Sequence, residues 1–120
     1  MREHESITHL LNPAEAPPAG FPHAPVGWSP EEALATAARE GLTLGEDHWA
    51  VIQALQAYYA RNPTVHLREL HDALDEHFHL EGGLRYLYEL FPGGPVNQGC
   101  RLAGLKPPPG AEDPAFGATA

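Results

Sequence analysis

The chain contains one cysteine, Cys100, and its thiol is the side chain best suited to covalent chemistry. A thiolate is the nucleophilic form, and the neighbouring Arg101 would favour that anion. Two features oppose ionisation. Cys100 lies late in a predicted short helix, where the helix dipole disfavours an anion, and it shares a helix face with Val96 and Ala103, which indicates partial burial. The sequence therefore leaves open whether Cys100 is reactive or is an inert, packed residue. With a single cysteine, the chain cannot form an internal disulfide.

Histidines and hydroxyl side chains offer a weaker case for chemistry. Four histidines lie near acidic residues in the second half of the chain: His66, His71, His77 and His79. The last two are only two positions apart, so they would point to different faces of a helix, and zinc needs a defined set of ligands. We interpret this region as a solvated polar face and predict no metal site and no cofactor. Ser29 and Thr64 are interpreted as helix caps, not nucleophiles.

The elements that would position these side chains are helices. Apolar residues recur every three or four positions in five segments separated by glycine or proline. Ser29 and Pro30 are typical of a helix start, and Asn62-Pro63 is typical of a helix end. The predicted fold class is mainly α: a compact bundle of about five short helices with a flexible C-terminal arm, and a small N-terminal β-hairpin is left open. The segments run over residues 29–41, 46–62, 67–82, 84–91 and 95–104.

Proline-rich stretches divide the chain into three parts. Six prolines fall between residues 12 and 30, which excludes a regular helix there, and three consecutive prolines begin at Pro107. We therefore predict a Pro-rich extended N-terminal segment over residues 1–26, a helical domain over residues 27–106, and a flexible C-terminal arm over residues 107–120.

The charge balance limits the classes of partner. Sixteen acidic residues against seven basic ones give a formal net charge of −9. Nucleic acids and anionic membranes attract clustered Lys and Arg, so we predict that neither is a partner. The third helix carries four acidic residues against Arg68, which would repel phosphates if it served as a recognition helix. With no signal-peptide pattern and no long apolar run, the predicted location is the cytoplasm.

A long motif near the C-terminus resembles a known family. Residues 86–107 read YLYELFPGGPVNQGCRLAGLKP, which is similar to the C-terminal signature of the DsrC/TusE family of small sulfur-trafficking proteins. Shorter matches lie upstream in the same order, and the resemblance covers about residues 20–111. These matches are Gly20-Phe21, Trp28, the EDHW sequence at 46–49, the AYY sequence at 57–59, and Arg68.

This resemblance implies a sulfur carrier with one unusual feature. Carriers of the family end in a flexible arm whose penultimate cysteine bears a persulfide, and a second cysteine lies eleven residues earlier. Cys100 matches the earlier cysteine, whereas the position eleven residues later is Ala111 and the chain continues to Ala120. The arm of the family is therefore expected here without its reactive tip.

Two functional hypotheses follow from the resemblance. In the first, the chain is a sulfur-relay protein without a turnover site of its own. Cys100 is then the only sulfur acceptor, Arg101 assists its anion, and Arg68 and Lys106 offer positive charge to a bound sulfur species. Its partners would be proteins of a sulfur-transfer or sulfite-reductase-like system, and oxidation could link two chains through Cys100. In the second, the chain is a regulatory or docking relative that keeps the fold but has lost the persulfide chemistry.

Overall fold

A computed structural model describes residues 16–111 of the chain. This part contains five α-helices and a short 3-10 turn at His79–Glu81, and none of it forms a strand. The predicted mainly α fold is confirmed, and residues 16–26 give no support to an N-terminal β-hairpin; residues 1–15 and 112–120 lie outside the described part. The helices are α1 (Pro30–Arg39), α2 (Glu46–Arg61), α3 (Leu67–His77), α4 (Gly83–Leu90) and α5 (Asn97–Ala103).

One of the two predicted helix caps is present. The Ser29 hydroxyl accepts a hydrogen bond from the backbone N–H of Glu32 at 3.2 Å, which satisfies a donor that the first turn of α1 would leave unpaired. The prediction for Thr64 was wrong. Helix α3 begins at Leu67, its N-cap residue is His66, and no side chain caps it.

A histidine joins the start of α2 to the end of α4. His48 Nδ1 accepts a hydrogen bond from the backbone N–H of Gly45 at 3.0 Å, so the opposite nitrogen, Nε2, carries the proton. Nε2 then donates to the backbone carbonyl of Leu90 at 2.9 Å. The ring also packs edge-on against Phe91, with 5.1 Å between the ring centres. His48 thus fixes the loop that follows α4 and leads to α5.

Helix α5 packs against both α1 and α2 and is almost entirely buried. Its close approach to α2 depends on Gly99, because a Cβ at that position would lie 2.8 Å from Leu55 Cδ1. Leu55, Leu102 and Ala103 are at most 1% exposed. Burial of such apolar surface is the main contribution to folding, about 25 cal/mol for each Å². Residues on α5 are therefore held rigidly within the domain.

The turn after α5 sets the direction of the chain towards the C-terminus. Gly104 adopts the left-handed conformation, with φ of 77°, and its N–H bonds back to the carbonyl of Cys100. Trp28 covers this turn and donates its indole N–H to the carbonyl of Leu102 at 2.7 Å. A Cβ on Gly104 would lie 2.7 Å from the Trp28 ring, so glycine is required for both conformation and space.

Candidate functional site

Cys100 lies on the buried side of α5. Its relative exposure is 0%, and Val96 and Ala103, which share its helix face, are also buried. The burial predicted from their spacing is confirmed and is complete. An external reagent or donor therefore has no direct contact with the sulfur in this conformation.

The thiol belongs to a chain of two hydrogen bonds. The hydroxyl of Tyr59, on α2, donates to the backbone carbonyl of Lys106 at 2.8 Å. Its oxygen also lies 3.6 Å from Cys100 Sγ. A tyrosine hydroxyl has one proton, and that proton is used on Lys106, so the S–H group of Cys100 is the donor in the second bond. Cys100 thus donates to Tyr59, and Tyr59 donates to the carbonyl of Lys106.

This environment keeps the sulfur protonated at neutral pH. Burial raises the pKa of the Cys100 thiol to about 11, and the hydrogen bond that the Tyr59 hydroxyl can donate to the thiolate offsets only part of that effect. Burial, followed by the bond to Cys100, also raises the pKa of Tyr59. Both groups are therefore neutral at neutral pH, and the thiol is a weak nucleophile in the closed structure.

A cleft of about 650 Å³ opens beside Tyr59. One wall is the C-terminal end of α2 with the loop that follows it, and the other wall is the segment after α5. Tyr59 contacts the cleft on one side and Cys100 on the other, whereas Cys100 itself does not line the cleft. The lining residues are Tyr59, Asn62, Pro63, Val65, Lys106, Pro107, Pro108, Pro109 and Gly110.

The beginning of the predicted C-terminal arm lies against the helical domain. Pro108 and Ala111 are buried, the latter with 8% exposure, and the Ala111 N–H donates to the Pro108 carbonyl at 3.1 Å. Gly110 approaches Leu67 at the start of α3. Flexibility of the arm stays a prediction, since its remaining residues, 112–120, lie outside the described part.

Arg101, the predicted helper of the thiolate, forms an ion pair with Glu40, the residue that follows α1. Its Nε and Nη2 donate to the two carboxylate oxygens of Glu40 at 2.8 and 2.9 Å. The Gln98 side chain donates to the same carboxylate at 2.8 Å. The hydrogen bond from Arg101 holds the pKa of Glu40 below its ordinary value. Assistance of a Cys100 anion by Arg101 therefore stays a prediction that requires the guanidinium to leave Glu40.

The two predicted cationic residues differ in their relation to the thiol. Lys106 is exposed at the cleft, and its backbone carbonyl accepts the hydrogen bond from the Tyr59 hydroxyl. Arg68 is exposed on α3 and does not line the cleft. The structure thus brings Lys106, and not Arg68, next to the Tyr59–Cys100 pair.

Sequence reasoning missed the contacts that Tyr59 makes with Cys100 and Glu40 makes with Arg101. Tyr59 lies 41 residues from Cys100, and Glu40 lies 61 residues from Arg101. The AYY sequence matched the family pattern at 57–59, which was the one available signal for Tyr59.

Within residues 16–111, no group of three or more His, Cys, Asp or Glu side chains is arranged to hold a metal ion. In the same range, no helix has the length and apolar character needed to cross a bilayer.

The fold and the site together define a class: a small helical domain with a single buried thiol, which is linked through Tyr59 to the start of a proline-rich C-terminal segment. The family model described as "DsrC like protein" matches residues 12–111. The chain therefore belongs to the DsrC-like family of sulfur-relay proteins, and the resemblance inferred from the motif is confirmed.

Individual relatives agree with this assignment. The chain is 41% identical over 83 residues to sulfurtransferase TusE of Salmonella paratyphi A, which covers 68% of this chain and 76% of the relative. Identity to sulfurtransferase TusE of Yersinia pestis is also 41% over 83 residues, with the same coverage. The NMR structure of Allochromatium vinosum DsrC matches with a TM-score of 0.59 and 39% identity, covering 69% of this chain and 76% of that one. These relatives do not favour the alternative of a docking protein without transfer chemistry.

Proposed function

We propose that this chain is a cytoplasmic sulfur-relay protein that accepts sulfur on Cys100 and works with protein partners of a sulfur-transfer or sulfite-reductase-like system. The observation that supports this most is the placement of the chain's one thiol next to Tyr59, which lines the cleft under the C-terminal segment. The relatives named sulfurtransferase support the same reaction class.

The proposed step is transfer of one sulfur atom between thiols. The Cys100 thiolate attacks the outer sulfur of a cysteine persulfide on the donor protein. A new S–S bond forms on Cys100, the S–S bond of the donor breaks, and the donor leaves as a thiolate. The proton released from Cys100 passes to the donor thiolate or to water. No external oxidant or reductant is needed, because one persulfide is consumed and one is formed.

Charge around the cleft would assist this step. Lys106 lines the cleft, and its positive charge there can attract an anionic persulfide. Arg101 is adjacent to Cys100 in sequence and would stabilise the thiolate once it leaves the Glu40 carboxylate. Arg68, exposed on α3, would contribute only longer-range attraction, which salt screens.

The fixed position of Cys100 defines how the relay must work. Cys100 lies on a buried helix, and the position where carriers of the family have their mobile cysteine is Ala111. The sulfur on this chain cannot travel on an arm, so the donor and the acceptor must each come to the cleft. The protein would therefore accept and return sulfur in docked complexes, at a lower rate than a relative with two cysteines.

A transfer assay with variants tests this proposal. The wild-type chain and Cys100→Ser are incubated with a persulfide-loaded donor protein, and sulfur on each chain is followed by intact mass. We expect loading of the wild type alone. A third variant carries Ala111→Cys and ends at Glu112; it should transfer sulfur faster than the wild type if the partner surface is intact. Equal loading of wild type and Cys100→Ser would reject Cys100 as the acceptor.

A further inference from the structure

The Tyr59 hydroxyl joins two parts of the molecule that the proposed reaction must separate. It donates to the carbonyl of Lys106, where the C-terminal segment begins, and it accepts from the thiol of Cys100. The bond to Lys106 is short, at 2.8 Å, and spans 47 residues of sequence. Tyr59 is therefore the one side chain among residues 16–111 with hydrogen bonds to both the thiol and this segment.

From this geometry we infer that Tyr59 is a positioning residue that couples the C-terminal segment to Cys100: its hydroxyl holds residues 106–111 over the thiol, and its release from Lys106 opens the way to the sulfur. The inference rests on the proposed function for its biological meaning. It does not depend on that function for its test, because opening of the segment can be measured without any sulfur donor.

The physical reason is that the hydroxyl has one proton to give. While the sulfur is a thiol, that proton is used on the Lys106 carbonyl and the segment is held. When the sulfur becomes an anion, a hydrogen bond from Tyr59 to the sulfur is charge-assisted and therefore stronger than the bond to a neutral carbonyl. The two acceptors then compete, and the Lys106 carbonyl loses its donor. Formation of the anion and loosening of the segment thus favour each other.

Packing explains why this single bond has a measurable effect. The segment contains three consecutive prolines, which have no N–H groups to donate. It is held against the domain by the Tyr59 bond, by the approach of Gly110 to Leu67, and by the buried side chains of Pro108 and Ala111. A hydrogen bond of this kind contributes enough to change the opening equilibrium by roughly three- to tenfold.

The test compares Tyr59→Phe with Tyr58→Phe in the full chain. Both changes remove one hydroxyl from neighbouring, half-buried tyrosines of α2 and keep the ring, so Tyr58→Phe is a matched control. Two quantities are measured at one pH: hydrogen exchange at the Ala111 amide, and the rate at which iodoacetamide alkylates Cys100. We expect Tyr59→Phe to speed exchange at the Ala111 amide by roughly three- to tenfold and Tyr58→Phe to change neither quantity. Alkylation in Tyr59→Phe should rise by less than exchange, because the same change removes the hydroxyl that can donate to the thiolate and so lowers the thiolate population.

Three results would overturn the inference. Unchanged exchange at Ala111 in Tyr59→Phe would show that the hydroxyl does not hold the segment. Faster alkylation without faster exchange would show that it acts on the thiol alone. Equal acceleration at the Ala111 amide and at the core amides of α2 would show a general loss of stability. Each of these results leaves the proposed sulfur transfer to be judged by its own assay.

Discussion

Unfolding the chain should make Cys100 react much faster with an alkylating reagent. Burial raises the pKa of this thiol from the ordinary 9.0 to about 11. At neutral pH, well below both values, each pH unit of difference lowers the thiolate population tenfold, so the folded chain has about one hundredth of the thiolate of the unfolded chain. Since the thiolate is the reacting species, this loss acts directly on the rate.

Two further effects modify that factor. A more basic thiolate is also a better nucleophile, which recovers about tenfold of the rate over this interval. The net electrostatic effect is therefore about tenfold. Cys100 is also 0% exposed, so the reagent must wait for a local opening, and that requirement slows the folded chain further. We expect the folded chain to react at least about tenfold more slowly than the unfolded chain.

The assay is alkylation by iodoacetamide at neutral pH, followed by intact mass, in native buffer and in concentrated urea. A short peptide with one cysteine, measured in both solvents, corrects for the effect of urea on the chemistry. Cys100→Ser should remain unlabelled throughout. Corrected rates that agree within about twofold would refute the argument, because they would mean that the fold neither buries the thiol nor suppresses its ionisation.

Three other outcomes follow from the structure. Gly104→Ala should lower the free energy of unfolding in urea by at least about 1 kcal/mol more than Gly41→Ala does. Both glycines have positive φ, but only at Gly104 would the added Cβ clash with the Trp28 ring, so equal losses would contradict the packing described. Between pH 9 and 11 the wild type should lose about 2 kcal/mol more folding stability than Cys100→Ala. The reason is that the thiol of the unfolded chain releases its proton first, whereas the folded thiol retains it until its pKa of about 11; parallel curves of stability against pH would contradict this. Oxidised chain should run as monomer or as a dimer linked through Cys100 on non-reducing gels, with any dimer lost in Cys100→Ser because the chain has no other cysteine; a dimer surviving that change would show another contact.

The local part of the fold could be predicted from the sequence because its signals act over a few residues. Ser29 and Pro30 begin α1 and Asn62 ends α2, as capping and proline geometry indicated. Helix α2 begins at Glu46, as the preference for acidic residues at a helix N-terminus indicated. The prediction of a cap at Thr64 was wrong because it rested on side-chain type alone. A hydroxyl caps a helix only where the first turn begins beside it, and α3 begins three residues later, at Leu67.

The candidate site could be predicted only in part because its contacts are long-range. The spacing of Val96, Cys100 and Ala103 gave the burial of the thiol correctly, since Cys100 and Ala103 lie on α5 and Val96 is its N-cap residue. The partner of that thiol, Tyr59, comes from α2 and meets it only through the packing of α2 against α5. Periodicity along one helix carries no information about which residue of another helix it meets.

The placement of Arg101 shows the same limit of prediction from sequence, and it bears on how the thiolate could be stabilised. Its position beside Cys100 in sequence suggested that it would stabilise the thiolate. On a helix, however, adjacent residues point about a quarter-turn or more apart, and Arg101 faces Glu40 while Cys100 faces the core. Neighbours in sequence on a helix are therefore poor predictors of electrostatic partners.

The most direct measurement is the intact mass of the chain after incubation with a small-molecule persulfide donor. Wild type and Cys100→Ser are treated in parallel, and each sample is measured before and after a thiol reductant. Sulfur relay through Cys100 predicts that the wild type gains the mass of one sulfur atom, that the reductant removes it, and that Cys100→Ser gains nothing. A wild-type chain that gains no sulfur when the donor is in excess and time is ample would contradict the proposal that Cys100 is a sulfur acceptor.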